Sequence, residues 1–341
     1  MFRCLTLVAT CIGLQLVDPT AFDISDSLPL GLHQATTIRL IKWGLAAWTT
    51  VEANAVLNSW AENRWSWKND KSDWNWPGEV AVVTGGSAGI GACVVKKLVS
   101  HGTKVAVLDI GPLSSHFTDA ERPLIRYYRC DVTSRDDIHR AAEAVRSDMG
   151  PPSILINNAG IGNAYTILDI PTEALRTLFE INLISHWSTI HEFLPDMIAK
   201  KKGHIMSVAS LASFVALAGA VDYSATKAAL LALHEGLTQE LKHRYKCPQI
   251  KTTIVHPGWT KSAITAHEAI KVGLKQAGVS LLEPEDVADA MIKQIIAAKS
   301  GQIVLGPAIL PKIRAFPMWL QEIVRDSQAN VVSGNGSTAT K

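Results

Sequence analysis

Short apolar runs and longer mixed segments follow one another along the chain from about residue 79 onwards. The run 80–83 is followed by the glycine-rich stretch TGGSAGIG (84–91), by ACVVKKLVSHG (92–102), and by a second apolar run at 104–108. Apolar β-branched runs next to glycine predict strands, and the mixed segment between them predicts a helix. The pattern predicts an α/β protein with a doubly wound parallel sheet that helices cover on both faces.

The glycine-rich stretch has the features of a dinucleotide phosphate site. Gly85, Gly89 and Gly91 allow a tight turn in which backbone approaches a pyrophosphate at the N-terminus of the following helix. Asp109 ends the second strand, eighteen residues after Gly91, close to the offset of roughly 20 residues expected for a carboxylate on the adenosine ribose. The spacing G-x-x-x-G-x-G departs from the usual fingerprint, and a β-α-β unit without a ligand is the alternative.

A tyrosine and a lysine supply the candidate chemistry. Tyr223 and Lys227 are four residues apart, with Ser210 thirteen residues upstream of the tyrosine, and a spacing of four places two side chains on one face of a helix. A neighbouring ammonium favours the phenolate and lowers the phenol pKa, which makes tyrosine an acid-base catalyst. A serine hydroxyl can polarise a carbonyl or alcohol oxygen. A chance pairing on a structural helix is the alternative.

With these segments together, residues 78–310 resemble the short-chain dehydrogenase/reductase family, whose catalytic domain is a Rossmann fold. Seven motifs occur in the family's order, and small departures are found only at Ser213 and Ser262. The resemblance implies that Asn182 joins the three catalytic candidates and fixes a water linked to Lys227, which also holds the nicotinamide ribose. The implied cofactor-binding residues, besides the three glycines and Asp109, are Ser87, Ile90, Asp131, Val132, Asn158, Ala159, Gly160, Tyr223, Lys227, Pro257, Gly258 and Thr260.

The region before the glycine loop differs in kind, and it holds seven of the ten tryptophans. We predict a membrane-associating extension at 1–60 and a linker at 61–78. Residues 4–17 are apolar and uncharged but shorter than the about 20 residues of a membrane span. The stretch 40–57 mixes apolar and charged residues and suits an interface. Packing of these tryptophans onto the enzyme, or a cleaved secretory signal, are the alternatives.

After the predicted Rossmann domain at 79–310, we predict an amphipathic segment at 311–326 and a disordered tail at 327–341, because the end of the chain has few apolar residues. The net charge of +2 gives no reason to expect nucleic acid. The five cysteines lack metal-ligand spacing, so no metal is expected. A homodimer is left open.

The expected function is hydride transfer between a nicotinamide cofactor and the carbonyl/alcohol group of an apolar substrate of the lipid, steroid, retinoid or polyketide kind. Asp109 favours NAD over NADP, because its charge would repel a 2′-phosphate. With its extension and its core patterns, the chain resembles the membrane-associated retinol and hydroxysteroid dehydrogenase branch of the family. Within that branch, it is most similar to fungal members. We expect it on the endoplasmic reticulum or lipid droplets with its domain in the cytosol, or in the cytoplasm. An NADPH-dependent ketoreductase of a fungal secondary-metabolite pathway and an inactive scaffold are the alternatives.

Overall fold

The protein is described here by a computed structural model of residues 12, 34–66, 71–115 and 117–332. The chain divides into two compact units, at 1–68 and 69–341. The boundary therefore falls inside the predicted linker at 61–78.

The described part of the first unit consists mainly of one helix, α1 (Gln34–Glu62). Six of its large apolar side chains are about half exposed or more. They are Leu40, Ile41, Trp43, Trp48, Val51 and Leu57. The rings of Trp60 and Trp65 meet edge to face, 4.8 Å apart. The apolar stretch at 4–17 lies outside the described residues, apart from residue 12. Among the described helices, none combines the length and the apolar character that crossing a bilayer requires.

The second unit is built on a seven-stranded parallel sheet with the order β3-β2-β1-β4-β5-β6-β7. The strands are β1 (Val80–Thr84), β2 (Lys104–Asp109), β3 (Ile125–Arg129), β4 (Ile154–Asn157), β5 (His204–Val208), β6 (Lys251–Pro257) and β7 (Gly301–Leu305). The helices are α2 (Gly89–Ser100), α3 (Arg135–Met149), α4 (Thr172–Phe179), α5 (Ser185–Lys200), α6 (Val221–His243), α7 (Ala263–Ala266), α8 (Glu268–Gln276), α9 (Pro284–Ile296) and α10 (Met318–Ser327).

Alternate residues of the strands face opposite sides of the sheet, as the period of two requires. Val80 and Val82 pack in one apolar cluster with α3, α5 and the C-terminal half of α6. Ala81 and Val83 pack in another cluster with α2 and α9. All five residues of β1 are buried, which explains why the strand is an unbroken apolar run. The predicted doubly wound sheet with helices on both faces is confirmed.

The strand order reverses between β1 and β4, which are direct neighbours although β2 and β3 lie between them in sequence. The connections that leave the carboxyl ends of these two strands diverge, and a crevice opens between them. The glycine-rich stretch follows β1 and the segment Asn158–Gly160 follows β4. The topology thus brings two of the sequence motifs to one edge of the sheet.

Two predicted boundaries differ from those in the structure. Trp74, which we placed in the polar linker, is only 9 % exposed. It stacks on Trp76 with ring centroids 5.1 Å apart, and the Lys202 ammonium lies 5.4 Å from its ring centroid. The disordered tail was predicted at 327–341, but Val331 and Val332 within it are 2 % and 3 % exposed, and residues 333–341 lie outside the described residues. Both differences have the same cause. Trp74, Val331 and Val332 are apolar side chains in short polar stretches, and they pack against residues that are distant in the sequence.

Candidate functional site

The glycine loop between β1 and α2 has no room for a side chain at Gly85 or at Gly91. Gly85 has a φ of +63°, and a Cβ on it would lie 2.9 Å from Ala159 Cα. A Cβ on Gly91 would lie 2.1 Å from the Gly85 carbonyl oxygen. Gly89, also at positive φ, begins α2. The loop thus leaves backbone alone beside the N-terminus of a helix, which suits the pyrophosphate of a dinucleotide.

Asn158 holds this loop against the end of β4. Its Nδ2 donates to the carbonyl oxygens of Thr84 (3.1 Å) and Gly85 (3.0 Å). In return, the Thr84 hydroxyl accepts from the amides of Asn158 (3.0 Å) and Ala159 (3.1 Å). The two motifs that flank the crevice are therefore one hydrogen-bonded unit.

Asp109 organises the same loop from the end of β2. Its two carboxylate oxygens accept from the backbone amides of Ser87 and Gly111, each at 3.0 Å. Asp109 also lines the cavity described below. The residue therefore has a structural role that the sequence pattern did not indicate, in addition to its predicted contact with a ribose.

Tyr223 and Lys227 lie in the first turns of α6, on one face as predicted. The Lys227 ammonium is 5.4 Å from the centroid of the Tyr223 ring and donates to the Val208 carbonyl oxygen at 3.0 Å. The Ser213 hydroxyl donates to the Lys227 carbonyl oxygen at 2.9 Å. The lysine is 4 % exposed, so its charge acts in a poorly solvated place.

Ser210 and Asn182 complete the predicted catalytic group. The Ser210 hydroxyl accepts from the Ala212 amide at 3.2 Å and so caps a short 3₁₀ turn. Asn182 lies in a π-helical turn between α4 and α5, a distortion often found at functional sites. Its side chain exchanges two hydrogen bonds with the Ile161 backbone, each 2.8 Å long. A Cβ on Gly160 would lie 3.4 Å from Asn182 Oδ1 and 3.6 Å from Lys227 Nζ, so Gly160 separates the two polar groups.

The pKa values of the pair move in directions that burial explains. Burial raises the pKa of Tyr223, and a hydrogen bond with Ser210 acts against that rise. Burial lowers the pKa of Lys227 to about 8. We expected Lys227 to lower the pKa of Tyr223, but the net direction is upward, because desolvation of the phenolate outweighs the hydrogen bond with Ser210. A phenol that keeps its proton is the form that donates in carbonyl reduction.

The sequence did not assign a role to His256, whose imidazole contacts the backbone of Ser210. His256 Nδ1 lies 3.1 Å from the Ser210 carbonyl oxygen, and its ring packs on Phe214 at 4.5 Å. Burial lowers the pKa of His256 to about 4, which keeps the ring neutral. The only sequence signal was the His-Pro-Gly turn after β6, and that turn does not show what the ring touches.

These groups surround a cavity of about 760 Å³. Thirteen predicted site residues line it: Gly85, Gly89, Ile90, Asp109, Asn158, Ala159, Gly160, Ser210, Tyr223, Lys227, Pro257, Gly258 and Thr260. The remaining described candidates, Ser87, Gly91, Asp131, Val132 and Asn182, are not among its lining residues. Gly91 and Asn182 are buried behind the wall, whereas Asp131 is exposed and accepts from the Thr133 amide (2.9 Å) and hydroxyl (2.8 Å).

Most of the other residues that line the cavity are apolar, and the sequence did not predict them. They come from the turn before α6, from the segment after β6, from α7, α8 and the turn before α9, from the end of β7, and from the C-terminal segment. The apolar residues are Leu211, Val215, Leu217, Trp259, Ile264, Ile270, Val279, Leu282, Leu305, Ile309, Leu310, Val324 and Val332. Ile309 is 45 % exposed although it lines the cavity, so it marks an opening to solvent. The arrangement can hold a dinucleotide on the glycine-loop side and an apolar molecule on the other.

Comparison with known proteins agrees with this geometry. A model of the short chain dehydrogenase family matches residues 79–272. Dehydrogenase RED2 of Cochliobolus heterostrophus is 33% identical over 260 residues, which cover 75% of this chain and 94% of that protein. Human epidermal retinol dehydrogenase 2 is 29% identical over 73% of this chain and 79% of its own length.

A solved structure with the same fold is a short-chain dehydrogenase/reductase from Burkholderia phymatum in complex with NAD. It is 24% identical, covers 74% of this chain and 97% of that chain, and superposes with a TM-score of 0.65. The matched family model, the parallel sheet and the clustering of Ser210, Tyr223 and Lys227 beside a glycine loop point to one conclusion. The chain belongs to the short-chain dehydrogenase/reductase family, among NAD(P)-dependent oxidoreductases whose relatives here include fungal dehydrogenases and retinol dehydrogenases.

Proposed function

We propose that the protein transfers a hydride between NAD and the carbonyl/alcohol group of an apolar substrate of the lipid, steroid, retinoid or polyketide kind. The observation that carries the proposal is that one cavity is lined by the glycine loop and Asp109 together with Ser210, Tyr223, Lys227 and many apolar side chains. An apolar wall with few polar groups is typical of sites for hydrophobic small molecules.

The side chains divide the work in the following way. In reduction, the Tyr223 hydroxyl donates its proton to the carbonyl oxygen as negative charge develops there, and Ser210 donates a hydrogen bond to the same oxygen. In oxidation, the Tyr223 phenolate accepts the alcohol proton. Bound nicotinamide supplies the hydride acceptor or donor. Lys227 holds the ribose hydroxyls, and Asn182 orients a water through which Lys227 exchanges protons with solvent.

A preference for NAD over NADP is part of the proposal. The Asp109 carboxylate can accept from both adenosine ribose hydroxyls, and its negative charge opposes a 2′-phosphate. Ile110 and Gly111, which follow it, provide no cation for that phosphate. The measurement is kcat/KM with each cofactor, and a higher value with NADP(H) would contradict the preference.

The substrate class is tested by screening purified protein with apolar secondary alcohols and ketones, each with NAD(H) and NADP(H). We expect turnover that improves as the substrate becomes more apolar, with short polar alcohols as the control. Absence of turnover with every pair, in protein that binds cofactor, would contradict the proposed reaction.

We further propose that the first unit binds membranes. Trp43 and Trp48 are 71% and 60% exposed on α1, and an indole ring is well suited to the boundary between acyl chains and headgroups. Shallow insertion fits α1 better than a span. Because nicotinamide cofactor is plentiful in the cytosol, we propose that the catalytic unit lies on the cytosolic face of the endoplasmic reticulum or on the surface of lipid droplets.

The full chain should sediment with membranes and require detergent for release, whereas a chain beginning at Asn69 should stay in the supernatant and bind NAD. Asn69 is chosen because Trp74 belongs to the core of the second unit. Full-length protein in the high-speed supernatant without detergent would contradict membrane binding.

A further inference from the structure

The chain returns to the cavity after α10. Residues Gln328 and Val332 line the cavity, and Val331 and Val332 are almost fully buried. Both valines belong to an apolar cluster that also contains Ile270 of α8. We call residues 328–332 the C-terminal strap.

Two glycines form the slot in which the strap lies. A Cβ on Gly273, in the middle of α8, would lie 2.1 Å from the Val331 carbonyl oxygen. A Cβ on Gly219, which has a φ of +75°, would lie 2.7 Å from the Val332 carbonyl oxygen. Any side chain at either position would displace the strap. Glycine inside a helix is unfavourable relative to alanine, so the close approach explains why Gly273 occupies its position.

The slot connects the strap to the catalytic helix. Gly219 lies two residues before α6 begins, and Tyr223 follows in its first turn. Tyr223 and Ile264 pack against the same apolar cluster as Val332. The strap is therefore in one packed group with the side chain that carries the proton and with the short helix α7 of the substrate side.

We propose that the C-terminal strap is a specificity-determining wall of the substrate cavity, and that Val332 limits the length of the apolar substrate that can bind beside Tyr223. This inference rests on the proposed function, because it assumes an apolar alcohol or ketone in the cavity. The strap is built apart from the glycine loop, since the atoms nearest to a Cβ on Gly85 or Gly91 belong to Ala159, Asn158 and Gly85 and not to a strap residue.

The first test compares Val332→Ala and Val332→Phe with the wild type on 2-hexanol, 2-octanol, 2-decanol and 2-dodecanol. Val332→Ala should move the best kcat/KM towards longer alcohols, and Val332→Phe towards shorter ones. A difference of about one methylene in an apolar pocket changes kcat/KM roughly tenfold or more. The change should appear in KM, with kcat on the best substrate preserved. An unchanged length preference in both variants, whatever their melting temperatures, would overturn the proposal.

The second test uses two helical glycines with different surroundings. Gly273→Ala should displace the strap, so that hydrogen exchange of residues 328–332 accelerates and discrimination between 2-hexanol and 2-dodecanol is lost. Gly236→Ala, in α6, is the matched control, because a Cβ there meets nothing within 4 Å. Equal effects of the two substitutions would overturn the role of the slot.

Binding without turnover separates this inference from the proposed function. Calorimetric titration of the same alcohols into the full chain measures affinity whether or not hydride transfer occurs. A length preference that shifts in the Val332 variants supports the wall even if no alcohol is oxidised. If the alcohols bind with a length preference that is the same in the wild type and in the Val332 variants, the role of the strap is contradicted, whereas the proposed reaction is not.

Discussion

The two sides of the cavity are held together by different interactions, namely hydrogen bonds on the glycine-loop side and apolar packing on the other. On the glycine-loop side, Thr84, Asp109 and Asn158 connect neighbouring strand ends through hydrogen bonds of 3.0–3.1 Å. On the other side, most of the wall consists of apolar side chains such as Leu211 and Leu310, which pack in one apolar cluster, and such packing is not directional.

This difference explains why the glycine-loop side could be predicted from the sequence and the apolar side could not. Directional hydrogen bonds between short loops demand particular residue types at particular spacings, and a glycine without room for a Cβ admits no substitute. Apolar packing accepts many side chains of suitable volume. The residue types on the cofactor side are therefore strongly constrained, whereas those on the substrate side are free to vary as long as the volume is kept.

The largest expected effect is at Tyr223, which lines the cavity together with residues of both sides. Tyr223→Phe removes the proton donor and should lower kcat by about 10²–10⁴-fold, because general acid-base groups contribute that much. NAD affinity should change less than about twofold, since the ring is preserved. Steady-state kinetics and calorimetry measure both. Tyr245→Phe, an exposed tyrosine just beyond the same helix, is the control. A variant that keeps more than a tenth of wild-type kcat would refute the role.

The next effect tests the cofactor side alone. Gly91→Ala places a Cβ 2.1 Å from the Gly85 carbonyl oxygen, and overpacking of this kind costs about 1–3 kcal/mol. If the loop distorts, NAD affinity should fall roughly 10- to 100-fold, while apolar ligands still bind. Titration of NAD and of 2-decanol into the variant measures the two separately. Loss of both affinities to the same degree would show that the two sides are not independent.

A smaller effect is expected at Asp109. Asp109→Asn keeps the shape but exchanges one of two acceptors for a donor, so the amide of Ser87 or Gly111 loses its partner. Removal of the negative charge should reduce the preference for NAD over NADP by roughly tenfold, about 1.4 kcal/mol, with both affinities reduced. The ratio of kcat/KM values measures the change. An unchanged ratio would mean that another residue sets the preference.

A further effect concerns stability and pH rather than activity. The Lys227 amine titrates near 10.5 when unfolded and at about 8 in the folded protein, because burial disfavours the ammonium. Between these pH values the unfolded chain binds more protons, so the free energy of unfolding should rise with pH across this window. Lys227→Met should abolish this contribution, which denaturant titrations at pH 7.5, 9 and 10 would detect. An identical slope in both proteins would contradict the lowered pKa.

The sequence by itself determined the features whose causes are local. The strands β1 and β2, the glycine loop and Asp109 lie within a segment of about 30 residues, in which periodicity and turn geometry dictate the outcome. The placement of Tyr223 and Lys227 on one helical face followed from their spacing. The doubly wound sheet followed from repetition of the same unit.

Tertiary structure alone decided the features that depend on distant partners. The burial of Trp74 depends on Lys202 and the core, and the burial of Val331 and Val332 depends on the room that Gly219 and Gly273 leave for their backbone. The upward shift of the Tyr223 pKa is likewise a result of burial. Burial and apolar contact are properties of where segments meet in space, and a linear pattern of residue types does not specify that meeting.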